Sequence, residues 1–414
     1  MTSLHVSKNT LFNLLFFGYF IFMGTNLKLT LGMSSISFVF TSAVIALPIF
    51  ITVYSLRSAV LNPKDTCILL ATVFIIILSI TNMLLYFRGY TGVVQLFSFV
   101  FPWLVLVSVI LNQKYIAQNQ DKFWKWFNNF SIVLISLGLI EYIACMFFGV
   151  IPPYAETANG GFLVGKFTVF HAIDPYTPHF RFYGPFGEPG QLAMWTSALI
   201  FYNSIRRNYL AIMILCIASF AAFSPSILIS FLIYFIIFLI LNKKNAIYFL
   251  LILIFLPCLV LYFGNDALNF TKEIYLNKES SLASRYESTF GFFRRFSYLV
   301  HTYPFGIPVF ETSEEAFSSG ISFASNFSPI GAYEHGGIIV FSLYLLLLGY
   351  GALISIVNIL MFNKGYFECE IYIYFLILLP FLVQRASIFE LGVFPLLFAS
   401  VFFHKIKRTS LAIA

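Results

Sequence analysis

Charged side chains are scarce in this chain: Asp, Glu, Lys and Arg together make 10% of its 414 residues, against about 25% in an ordinary soluble domain. So little polar surface excludes a water-soluble enzyme or binding module of this size. Cysteine is also sparse, at five residues. Cys67, Cys145, Cys216 and Cys258 fall in apolar runs and Cys369 in a short inner loop, which excludes a disulfide-stapled domain. No Gly-x-Ser-x-Gly, phosphate-cradling Gly-rich loop or zinc-spaced His/Cys set occurs, which sets aside the chemistries those motifs serve. Nor is there an internal repeat or a low-complexity linker.

What is present is apolar surface. Hydrophobic residues make 60% of the chain, with 53 Phe and a mean hydropathy of +0.89, so the solvent for most of this molecule is lipid. Runs long enough to cross a hydrocarbon layer of roughly 30 Å, about 20 residues each, are expected near 10–24, 34–56, 66–87, 92–111, 127–149, 187–205, 209–222, 225–241, 246–263, 328–361, 370–384 and 388–404. The stretch from Tyr209 to Leu241 is divided at Ser224-Pro225-Ser226, because proline disfavours a continuous helix. The fold expected is an all-α integral membrane protein of about 12 transmembrane helices, one polytopic domain over residues 1–414. The first apolar run is followed by Gly24-Thr25-Asn26-Leu27-Lys28 and further spans instead of a small-residue cleavage site, so the first helix is expected to be retained.

Orientation follows from Lys and Arg. With the N-terminus inside, Lys8, Arg57, Lys64, Lys114, Lys122, Lys125, Arg206, Arg207, Lys243, Lys244, Lys364, Lys405, Lys407 and Arg408 fall in inner loops and termini, 14 of the 24 basic residues. Short outer loops hold only Lys28, Arg88 and Arg385. The positive-inside bias therefore puts both termini in the cytoplasm. The formal net charge of +7 is accounted for as a topogenic signal, and no nucleic-acid partner is expected.

Two long loops then lie outside, residues 150–186 and 264–327, and loops of that length are more often functional than idle. The first holds Glu156, Lys166, His171, Asp174, His179 and Arg181, and its Pro152-Pro153 and Gly160-Gly161 pairs argue against a regular helix throughout. The second holds Ser284-Arg285-Tyr286-Glu287 and Phe292-Phe293-Arg294-Arg295-Phe296, whose aromatic spacing predicts a short amphipathic helix on the membrane face. Guanidinium groups match phosphate oxygens in bidentate fashion and keep their charge. A lipid-linked diphosphate would suit these arginines, with its tail among apolar spans. Snorkelling to lipid headgroups is the competing account, above all for Arg294 and Arg295.

The order of elements around these loops resembles the O-antigen polymerase and ligase superfamily of lipid-linked glycosyltransferases. Arg181-Phe182-Tyr183-Gly184-Pro185-Phe186-Gly187-Glu188-Pro189-Gly190 is similar to the family's arginine followed by a Gly/aromatic turn into a helix. Ser284-Arg285 matches the second arginine in the large outer loop, Pro304-Phe305-Gly306 the Pro-x-Gly element, and Asn326 with Glu334-His335-Gly336 the start of the next span. The match covers roughly residues 181 to 345; the first five spans match only in hydrophobicity.

The resemblance implies a GT-C-like enzyme of the cell inner membrane with its site facing the periplasm. Its substrates would be undecaprenyl-diphosphate-linked oligosaccharide repeat units, with membrane lipid around it and a chain-length regulator as a further partner. It selects Arg181 and Arg285 for the diphosphate. Arg294, His335, His179 and Asn326 are further candidates for binding diphosphate or sugar, and the chemistry is assigned to Glu188, Glu334 and Arg285, with His335 and His179 next in line as the base. Glu188 has a second account as the residue before a helix-opening proline, and Glu334 as a structural carboxylate at a membrane boundary. Ser325 stands where the ligase branch carries a histidine base, which points to polymerisation over ligation. A lipid-linked oligosaccharide flippase is the rival from another class, but Glu141, Arg385 and Glu390 are too few to line a pathway. With no Asp-x-Asp in the outer loops and only Glu314-Glu315 as a carboxylate pair, no metal and no cofactor are expected.

Overall fold

Prolines and polar caps set where the helices begin. In the computed structural model, Asn62 precedes Pro63, and its carbonyl accepts from the Thr66 backbone N–H at 2.9 Å and the Thr66 hydroxyl at 3.0 Å; proline is tolerated at such a first turn because its missing N–H would have no helical partner. The structure describes residues 8–19, 35–56, 59, 61–85, 89–148, 154–157, 163–166, 172–173, 182, 184, 186, 189–222, 226–241, 290–307, 328–362, 366–384, 397 and 401–402.

The helices are α1 (Lys8–Tyr19), α2 (Ser35–Leu56), α3 (Pro63–Leu85), α4 (Gly89–Leu111), α5 (Gln113–Phe148), α6 (Pro189–Ile205), α7 (Tyr209–Ala221), α8 (Ser226–Leu241), α9 (290–302), α10 (Ser328–Phe362) and α11 (Tyr366–Gln384). Their bounds follow most of the expected spans within a few residues. The expected span at 246–263 lies outside the described residues, as does most of 388–404, of which Leu397, Val401 and Phe402 are helical. Within the described residues Pro63–Asn82, Gln113–Ala144 and Pro329–Leu360 are long and apolar enough to cross a membrane.

Two differences from the sequence expectation have physical causes. The fifth span was placed at 127–149, yet α5 begins at Gln113 and runs 36 residues, about 54 Å at 1.5 Å per residue. Its first turns are polar and receive α1 as a partner, with Phe12 stacked on Tyr115 at 5.6 Å and Phe16 edge-on to Phe123 at 5.1 Å. The first long loop also departs from an all-α description: β1 (Tyr154–Thr157), β2 (Leu163–Lys166) and β3 (Ala172–Ile173) form an antiparallel sheet in sequence order. Tyr154 pairs with Lys166 and Gly165 with Ile173.

The bundle has two groups of helices. In one, α3 packs on α4 and α10, and α2 on α4; in the other, α6 packs on α7, α8 and α11, and α5 on α7. The α10–α11 hairpin joins them. Aromatic side chains fill the seams: Trp103 of α4 meets Tyr344 of α10 edge-on at 6.3 Å, Phe127 of α5 lies 4.4 Å from Trp195 of α6, and Phe201 of α6 meets Tyr374 of α11 at 5.5 Å. Pro48 and Pro102 lie inside α2 and α4. Across that seam the Ser108 hydroxyl donates to the Pro48 carbonyl at 2.8 Å, and Asn112 Nδ2 donates to Ser55 Oγ at 2.7 Å.

Candidate functional site

At one end of the bundle the start of α11 meets the end of α6. Arg206 makes a two-pronged contact with Glu370, with Nη2 to Oε2 at 3.1 Å, and the Tyr374 hydroxyl donates to the same carboxylate. Burial works against the Arg206 charge, but the Glu370 carboxylate more than offsets it and the guanidinium pKa lies above its ordinary value. Asn203 Nδ2 donates to Asn128 Oδ1 at 2.6 Å, and Asn208 caps α7 by accepting from the Ala211 N–H. Because α10 and α11 form a hairpin, the starts of α6 and α10 lie at the other end, with the described residues of the motifs singled out in the sequence.

The approach to α6 is held there by two phenylalanines. The Phe182 N–H donates to the Ala221 carbonyl at the end of α7 at 2.9 Å, and its ring lies 5.3 Å from Tyr142 near the end of α5. Phe186 stacks on Trp195 at 5.7 Å. Gly184, between them, has φ +60°, the left-handed conformation glycine adopts without a Cβ penalty. The flanking Arg181 and Glu188 lie outside the described residues, as do His179, Arg285 and Asn326.

Glu334, His335 and the Pro304-Phe305-Gly306 element are described, and the structure brings them together. The helix α10 is interrupted at Gly337, whose φ 70° and ψ −161° are not helical. In an unbroken helix the Ile338 N–H would donate to the Glu334 carbonyl. Here it donates to the Pro304 carbonyl at 3.2 Å, and the Glu334 carbonyl accepts from the Ile307 N–H at 3.0 Å. The segment 303–307 is therefore a strap that trades hydrogen bonds with both sides of the break, so the backbone groups freed by the interruption keep partners at the end of an apolar helix. The Tyr333 hydroxyl donates to the Tyr303 carbonyl at 2.9 Å, and Asn82 Nδ2 of α3 donates to Phe305 O at 2.7 Å and Glu334 O at 2.9 Å. The half-buried His335 ring lies 4.5 Å from Phe99 of α4.

Helix α9 leads into the strap. Phe292, Phe296 and Leu299 turn toward Ile330, Tyr333 and Phe341 of α10 in a small apolar core of their own, with Phe292 5.4 Å from Tyr333. The amphipathic helix expected here is thus present, and its apolar face is bound to protein. Arg294 and Arg295 are on the exposed side with Phe290, Phe293 and Tyr298.

Asn82, Gly337 and Tyr333 went unnoticed in the sequence reading. The signal for Asn82 was available: it is an amide closing a run of apolar residues, and such residues tend to face protein partners. Glu334 and His335 are charge-bearing or polar groups beside a helix interruption, an arrangement that can hold and deprotonate a hydroxyl-bearing ligand. Comparison with protein-family models, with curated proteins and with solved structures finds no match for this chain.

Proposed function

We propose that the chain is an O-antigen-type polymerase. It would be an inner-membrane protein of twelve spans with cytoplasmic termini, and it would transfer a growing glycan from undecaprenyl diphosphate to the non-reducing end of a lipid-linked repeat unit. The observation that carries this reading is the joint between the Pro304-Phe305-Gly306 strap and the Glu334-His335-Gly336-Gly337 break. Two motifs on which the resemblance rests, separated in sequence, interlock through their backbones. A loop tied into a span in this way suits an enzyme whose substrate has a lipid tail and a polar head.

The chemistry follows from the residue types. Arg181 and Arg285 would bind the donor diphosphate and stabilise the charge it gains as a leaving group. A carboxylate, Glu334 or Glu188, would accept the proton of the acceptor hydroxyl as its oxygen bonds to C1 and the C1–O bond to diphosphate breaks. Attack opposite the leaving group inverts the anomeric configuration. The donor bond supplies the driving force, so neither nucleotide nor metal is required. A chain-length regulator is the expected protein partner.

Purified protein in nanodiscs, given only lipid-linked repeat units, should build a ladder of longer lipid-linked glycans. The ladder should survive a chelator and vanish in Arg285→Ala. A ligase would give no ladder without a lipid A-core acceptor, and a flippase would instead move the intact lipid across a sealed vesicle; either result, or strict dependence on a divalent metal, would refute the mechanism.

A further inference from the structure

Asn82 lies one turn from the end of α3 and connects three stretches of chain that are far apart in sequence. Its side chain is 4% exposed, and its amide nitrogen serves two acceptors, Phe305 O at 2.7 Å and Glu334 O at 2.9 Å. Gly306 backs onto it so closely that a Cβ there would stand 2.0 Å from Nδ2. A carboxamide does not titrate over any accessible pH, and among the described residues the hydrogen-bond partners of this one are main-chain carbonyls. Acid, base and leaving-group roles therefore do not suit it.

What the amide does fix is a direction. At the Gly337 break the Glu334 carbonyl has lost its helical donor, because the Ile338 N–H turns to Pro304. The Ile307 N–H replaces that donor from the strap, which also holds the far side of the break through Pro304. The second donor comes from a different and continuous helix, and it grips the strap and the carbonyl together. A group held from two rigid directions keeps its orientation within the narrow tolerance that transfer chemistry needs.

We propose that Asn82 is a positioning residue for sugar transfer: by clamping the Glu334 carbonyl and the Phe305 carbonyl on one amide, it holds the Glu334 carboxyl toward the acceptor hydroxyl. This inference rests on the polymerase reading above. It assigns a function to the amino-terminal half of the chain, where the family resemblance is one of hydrophobicity alone. It also predicts that loss of the amide impairs the chemical step more than substrate capture.

The test uses the full chain in nanodiscs with lipid-linked repeat units, comparing wild type, Asn82→Ala and Asn82→Ser. For Asn82→Ala, kcat should fall about tenfold or more with KM unchanged, a change equivalent to about 1.4 kcal/mol in the barrier. Asn82→Ser, whose shorter hydroxyl donates back to the carbonyl four residues earlier as Ser79 does to Ile75, should show a similar loss. Hydrogen exchange at Ile307 and Ile338 should quicken in step with the loss of kcat, while elution as a single species and the thermal midpoint report folding. Wild-type kcat in both variants would overturn the role, and so would activity lost only in proportion to folded protein. If Asn82→Ala does not fold, Asn82→Ser decides alone: lowered kcat at unchanged KM and thermal midpoint supports the role, and wild-type kcat refutes it. Failure of the wild type to elongate would instead remove the polymerase reading, and this inference with it.

Discussion

Gly306 and Gly337 make the strap and the broken helix possible. Both have positive φ, 110° and 70°, and a Cβ on Gly306 would meet Glu334 O at 2.6 Å, one on Gly337 the Pro304 O at 1.9 Å. Backbone cannot yield as a flexible side chain does, so each change to alanine combines a left-handed residue with a steric clash. The expected cost is roughly 2–5 kcal/mol for Gly306→Ala and Gly337→Ala. Gly349→Ala is the control, since nothing lies within 4 Å of a Cβ there. Thermal unfolding in detergent should show a large drop for the first two and wild-type behaviour for the third. These residues also mark a limit of sequence reading: Gly336 drew notice as part of a motif, whereas the position that breaks the helix is Gly337, and only the strap's approach distinguishes the two. For Asn82 the amide closing an apolar run signals a protein partner, but which partner stays hidden, because the two acceptors are 223 and 252 residues away.

Helices were read well wherever an apolar run had clear punctuation. The Pro189 start of α6 and the Ser224-Pro225-Ser226 interruption before α8 put both helices within two residues of their expected positions. The polar first turns of α5 were assigned to a loop because composition there gives no apolar signal, although buried Ile116, Phe123 and Trp124 recur on one face. For α9 the sequence supplied the amphipathic pattern but not which surface would receive it. That choice yields a prediction. Phe292 is fully buried against Tyr333 and Phe341, while its neighbour Phe293 is half exposed. Phe292→Ala should cost roughly 3–5 kcal/mol and release α9 to protease, whereas Phe293→Ala should stay within about 0.5 kcal/mol of wild type. Limited proteolysis of the two variants separates docking on α10 from a helix held by lipid alone, in which case the exposed phenylalanine would be the sensitive one.

At the scale of the whole molecule, the two helix groups and the hairpin that joins them were not legible, because hydropathy gives the number and order of spans and says nothing of which pack together. The candidate site was legible only in part: the Pro304 and Glu334 elements were singled out in the sequence and do meet, while Arg181, Glu188, His179, Arg285 and Asn326 lie outside the described residues. Sidedness rests on the Lys and Arg distribution. Reporter fusions at Lys122 and Lys243 should read cytoplasmic and those at Asn159 and Ser280 periplasmic; two sites on the wrong side would end the twelve-span topology.

The order of synthesis gives the strap a further consequence. Helix α3 is made early, and it carries an amide whose acceptors are encoded 223 and 252 residues downstream. At about 5–20 residues per second of translation, that interval is on the order of 10–50 s. Throughout it, Asn82 must be served by water, by the insertion machinery or by a transient neighbour, since an unpartnered amide is costly in hydrocarbon. The clamp near the end of α3 is therefore a late closure: it forms only once the ribosome has delivered the strap and α10, and chains released before that point leave α3 with these acceptors missing.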